Sequence, residues 1–233
     1  MCRFGGESRC ALITSDQIIT NLQQRANPQA VEGMARFGSR PAQALGIPIP
    51  TLRKMAKEIG RNQALAVALW ASGIHEARIL ASMLAEPQLV SAELMDEWIN
   101  DFDTWDVCDQ VCGNLFDRTP YAYLKAKEWC QREKEFVRRA GFVLMAELAV
   151  HDKQAQDEAF LQFFPLIKHY AGDARNFVKK AVNWALRQIG KRNNHLRAVA
   201  LECAYEIQDM DSKTARWVAK DALKELQAKE ITD

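Results

Sequence analysis

From about residue 14 onward the apolar positions recur every three to four residues, the period of a helix whose one face is buried. No Asn-Gly or Asp-Gly turn and no sustained apolar–polar alternation marks a hairpin. Helix punctuation recurs instead. Asn27-Pro28 reads as an N-cap followed by proline at the first helical position, and Pro50, Asn62 and Thr119-Pro120 open further helices. Gly60, Gly172 and Gly190 close others, Asp173 recaps at once, and Ser91 and Asp211 are further caps. About a dozen helices of roughly ten to eighteen residues result, joined by loops too short to house a parallel sheet. The predicted fold is all-α, a right-handed α-solenoid of HEAT-like antiparallel helix pairs with a concave basic groove; a compact irregular bundle is the alternative. One domain is expected over 14–233, after a flexible leader over 1–13.

One helix departs from simple amphipathicity. Advancing about 100° per residue from Ala174 to Ile189, the residues Val178, Val182, Ala185, Leu186 and Ile189 converge on one apolar stripe. Lys180, Trp184 and Arg187 fall opposite, with the indole between two cations. Such a surface suits phosphates, bases or an alkylated, positively charged base.

Charge sharpens that reading. Lys and Arg number 31 against 30 Asp and Glu, a net charge of +1, which argues against a non-specific nucleic-acid coat. The distribution is uneven: Glu86 to Asp117 holds nine carboxylates and no Lys or Arg, whereas Asp173 to Arg197 holds seven Lys or Arg and one carboxylate. Solvated helix faces account for many such runs; the tryptophan inside the basic one is what points to a ligand. The first twenty residues lack the apolar run of a signal peptide, and no stretch reaches a membrane span. Six cysteines without framework spacing fit reduced thiols in a bacterial-type cytosol or nucleoid. Cys108 and Cys112 lie four apart, but the four histidines are isolated from one another, so no metal centre is expected.

Two further residues carry candidate chemistry. In the helix opening near Asp103 or Thr104, the residues Val107, Cys108, Val111, Cys112 and Leu115 form the buried stripe, and Trp105 and Asp109 border it one turn apart. Capping explains Asp103 and Asp106 but not Asp109, which lies too far along the helix. A carboxylate beside an indole can stabilise developing positive charge or orient water. Arg139 lies on a helix apolar nearly all round, so its guanidinium needs either a structural carboxylate or a phosphate. There is no phosphate loop, dinucleotide fingerprint, zinc-peptidase motif or serine elbow.

These residues carry a likeness. The chain resembles the AlkD-type DNA alkylation repair family, HEAT-like helical proteins that include glycosylases for alkylated purines, from about Met34 to Leu226. The resemblance rests on Met34-Ala35-Arg36-Phe37, Leu45-Gly46-Ile47, Thr104-Trp105-Asp106-Val107-Cys108-Asp109, Arg138-Arg139-Ala140 and the block from Phe177 to Arg187. It implies Asp109 as the catalytic aspartate, Trp105 and Trp184 as the aromatics at lesion and sugar, and Arg139 on the DNA backbone. Lys179, Lys180, Arg187 and Phe37 join the expected backbone-binding set. The chain departs from the family pattern at Thr104, where a second tryptophan can stand, at Phe37 in place of a tyrosine, and at Pro48 in place of a polar residue. The implied activity is excision of positively charged N3- or N7-alkylated purines from double-stranded DNA by a monomer, with no metal or organic cofactor. A non-catalytic DNA-binding paralogue and a helical-repeat protein adaptor are the alternatives.

Overall fold

The computed structural model describes residues 13–38 and 41–228, all of them helix, turn or loop, with no strand among them. The leader expected over 1–13 lies outside the described residues except for Ile13. The helices are α1 (Ser15–Gln24), α2 (Pro28–Met34), α3 (Ile49–Ile59), α4 (Gln63–Ala71) and α5 (His75–Leu84). Next come α6 (Ala92–Asn100), α7 (Trp105–Asn114), α8 (Ala122–Trp129), α9 (Glu135–His151) and α10 (Glu158–Leu161). The chain continues through α11 (Phe164–Tyr170), α12 (Asn176–Gly190), α13 (Asn194–Gln208) and α14 (Lys213–Ala228). No helix among the described residues is long and apolar enough to cross a membrane.

Local chemistry sets most boundaries. Asn27, Asn62 and Ser91 accept from the backbone N–H three residues on, and Gly60 closes α3 at φ +80°. Four expected marks move. Thr119 ends a 3₁₀ turn over Phe116–Arg118 rather than opening α8. Ser212, not Asp211, accepts from Ala215 ahead of α14. Gly190 is the last helical residue of α12, and Asp173 accepts from Arg175 instead of capping that helix.

The helices form two rows. In the front row α3, α5, α7, α9, α12 and α14 each pack on the next, most extensively α9 on α12. Behind them α4 packs on α5, α8 on α9, and α13 on both α12 and α14. Side chains stitch the back row together: Trp70 of α4 stacks on Trp98 of α6, and Asp96 of α6 binds Lys125 and Trp129 of α8. Side-chain bonds between successive units join residues some tens of positions apart, such as Cys112 to Ala140 (28) and Arg192 to Ala149 (43). Such next-neighbour bonding is the mark of a stacked array. Gly141 permits a close approach of α9 to the end of α8, since a Cβ there would collide with the backbone of Cys130.

The amino-terminal segment packs on this array through α1, and one carboxylate fastens its turn at Leu45 to Ile47. Glu76, buried on α5, accepts the backbone N–H of Leu45, Gly46 and Ile47 at 2.8, 2.6 and 3.3 Å. Gly46 sits at φ +74° with Asn27's carbonyl where a Cβ would stand, so only glycine closes that turn. The fastening brings Gly38 against the ring of Phe177 at the start of α12.

Candidate functional site

Thr104 precedes α7 in extended conformation, which places Trp105 at the first helical position and Asp109 one turn later. The expected buried stripe of Val107, Cys108, Val111, Cys112 and Leu115 is fully enclosed, and Trp105 and Asp109 are half-buried at its border. Thr104 makes no side-chain cap; its hydroxyl and the Trp105 indole N–H are both buried without a hydrogen-bond partner. Asp106 turns to buried His75, whose Nε2 lies 3.0 Å from its carboxylate. Burial works against a charge on His75, but Asp106 outweighs it and leaves the imidazole above its ordinary pKa.

The partner of Arg139 is Asp109. Its Nε donates to Asp109 Oδ1 at 2.9 Å and its Nη2 to Oδ2 at 2.7 Å, a bidentate fork, while Nη1 donates to the Phe177 carbonyl at 2.6 Å. Three front helices, α7, α9 and α12, are thereby tied at one point. Arg139 is only 6% exposed, and although burial opposes its charge, Asp109 restores it and lifts the guanidinium above its usual pKa. Burial pushes the Asp109 carboxyl up, Arg139 pulls against it, and the charge of Asp106 adds to the rise.

Asp109 opens on a polar cavity of about 380 Å³, which Arg53, Gln110, Asn114, Arg118, Glu147 and His151 also line. Glu147, the single acid in the apolar run of α9, is pushed up to about 7, first by burial and then by Asp117 and Asp109. Asp117, Glu147 and His151 bring one ligand atom each within 4.8 Å of one another and could hold a cation, although His151 is already bonded to Asp117. The lone Glu147 was the available sequence signal for this cluster. His151 had none beyond its place at the end of the helix.

Trp184 and its cations separate into three directions. The apolar stripe of α12 is fully buried as expected. Lys180 is exposed on the front. Trp184 is half-buried against the core; it follows Phe177 by seven residues and so shares the side of α12 that meets α9. Arg187 turns the other way, to Asp221 and Glu225 of α14, and Lys179 lies 5.1 Å over the ring of Trp217. The grouping of Lys180, Trp184 and Arg187 on one open face is thus revised, because an inner helix of a row has neighbours on both flanks. Phe37 lies in the 3₁₀ turn Ala35–Phe37, and its side chain falls outside the described part.

One solved structure, from "a new family of proteins related to the HEAT-like repeat DNA glycosylases with affinity for branched DNA structures", superposes with a TM-score of 0.76 at 21% identity, covering 93% of this chain and 95% of its own. At that identity the likeness shows the fold, a HEAT-like helical repeat. No curated protein matches. The profile of the DNA alkylation repair enzyme family matches residues 18–226, which takes in every helix except the ends of α1 and α14, and the chain belongs to that family.

Proposed function

We propose that this chain is a monofunctional DNA glycosylase that hydrolyses the N-glycosidic bond of N3- or N7-alkylated purines in double-stranded DNA, a base-excision step. The carrying observation is the placement of Asp109: a carboxylate one turn from an indole, open to a polar cavity and gripped by an arginine. An alkylated purine is already cationic, so its leaving needs no general acid. The C1′–N bond breaks with its electron pair going to the base, and the sugar passes through an oxocarbenium-like state. Asp109 stabilises that cation and orients the water whose oxygen bonds to C1′, taking the water's proton for release to solvent. Trp105 and Trp184 supply π faces worth about 0.5–2 kcal/mol each toward the cationic lesion. A DNA phosphate competes with Asp109 for the Arg139 guanidinium, so binding itself would uncover the carboxylate. Lys180 faces the backbone directly, whereas Lys179 and Arg187 must first exchange their partners on α14.

A second reading has its own support. The closed Asp109–Arg139 fork neutralises the very carboxylate that catalysis needs, which suits a DNA-binding protein without excision. The structural neighbour is described by an affinity for branched DNA.

The deciding assay measures 7-methylguanine and 3-methyladenine released from methylated DNA by wild type and Asp109→Asn. Excision predicts release by wild type and a loss of at least about a hundredfold in the folded variant. Salt-sensitive DNA binding with no release selects the binding protein, and no DNA binding at low salt selects a protein adaptor.

A further inference from the structure

Among the described residues two aromatic rings are strongly exposed, Tyr205 and Trp217, and their surroundings differ. Tyr205 on α13 is flanked by exposed Glu202, Glu206 and Asp209, and its hydroxyl accepts from Gln227. Trp217, 41% exposed on α14, stands among cations. Lys213, Lys220 and Lys224 lie four residues before it and three and seven after it, on the same helix face, and all are exposed. Lys179 of α12 places its ammonium 5.1 Å from the ring. Asp221, the acid on that face, is drawn toward Arg187, and Glu225 binds Arg187 and Lys191. The core of α14, from Ala215 through Val218, Ala219 and Ala222 to Leu226, is complete without the indole.

An exposed tryptophan costs solubility, this one is no part of the buried core, and it lies on the front row, one helix beyond the point where Phe177 meets Arg139. Resting on the DNA-binding reading above, we propose that Trp217, ringed by Lys179, Lys213 and Lys220, is a stacking platform for an unpaired nucleotide of DNA adjoining the duplex held at Asp109. The choice of an unpaired nucleotide follows from geometry. Inside a duplex both faces of every base are already stacked, so an indole on the duplex exterior meets only sugar and phosphate. Where pairing is interrupted, a π face is free, and stacking on an aromatic is tolerant of sequence. The lysines supply the phosphate contacts that hold the strand there. Lys179 now covers the ring; a phosphate drawing that ammonium aside would clear the face for the base.

The test compares wild type, Trp217→Ala and Trp217→Phe by fluorescence anisotropy at one low salt concentration. The probes are a blunt duplex and the same duplex extended by single-stranded arms into a fork. Trp217→Ala should weaken fork binding about tenfold, the low end of the stacking range, and blunt-duplex binding by less than about twofold. Trp217→Phe should recover most of the loss, and thermal melting should fall only slightly, because the ring is outside the core cluster but partly covered by Lys179. An equal loss on both probes, or no loss on the fork, overturns the platform while leaving the groove intact. A wild type that binds neither probe overturns the DNA reading itself.

Discussion

The six tryptophans divide evenly between the two rows, and the halves behave differently. Trp70, Trp98 and Trp129 belong to the back row and are buried, the first two stacked at 4.1 Å and almost parallel. Trp70 donates to Asp101 and Trp129 to Asp96, so their polar edges are satisfied. Trp105, Trp184 and Trp217 belong to the front row; each keeps part of its ring open, and the Trp105 N–H has no acceptor. One residue type thus serves as a buried wedge between repeats on one side and as an incompletely used surface on the other. The surplus on the front is what a ligand can take up.

The sharpest way to break that contrast is to remove a wedge. Trp129→Ala should cost about 3–5 kcal/mol in urea unfolding, since it empties a sealed site and strips Asp96 of a donor. DNA affinity of the folded fraction should hold. A loss under about 1 kcal/mol would mean that the back row repacks freely, and the two sets would no longer be distinguished.

The carboxylates repeat the contrast. Burial raises Asp96 in the back row, but Lys125 and Trp129 more than offset it and hold the acid below its ordinary pKa. Glu147 in the front row has only His151, 3.6 Å away and already bonded to Asp117, in its favour and stands at about 7. The folded state therefore binds its proton more tightly than the unfolded chain, whose glutamate titrates near 4.5. That contribution is fully present below about pH 4.5, falls as pH rises toward 7, and is then constant at a cost on the order of 3 kcal/mol. Glu147→Gln should remove this dependence, so the variant gains on wild type between pH 5 and 8 in thermal or urea unfolding. Parallel stability curves across that range would show that Glu147 is not strained.

Much of this was legible in the residues. The helical period, the asparagine caps and the buried stripes of α7 and α12 are local properties, and the apolar surroundings of Arg139 already demanded a partner. That its partner is Asp109, thirty positions away, depends on how two units stack, and no spacing within either helix encodes it. Trp217 and Arg187 show the same limit. A helical wheel sorts residues into core and outside, but in a row of helices the outside of α12 is divided among α9, solvent and α14, and only the packing assigns each residue to one of them. Glu147 lay in plain view as an acid within an apolar run, yet the proximity of Asp117 and Asp109 that raises it is again a product of stacking.

Trp184 lies between the two classes and gives the smallest effect and the finest test. Fully core, its removal would cost about 3–5 kcal/mol; fully open, almost nothing. Half-buried against the core on the α9 side of α12, it should cost about 1–2 kcal/mol in the Trp184→Ala variant, measured by urea unfolding. The remaining open face should appear in binding instead, as weaker affinity for DNA carrying a 7-methylguanine relative to unmodified DNA, by a factor of about three to ten if the ring meets a cationic base. A variant that loses stability but keeps that preference would assign Trp184 to the wedges of the back row, leaving Trp105 as the indole beside Asp109 that meets the lesion.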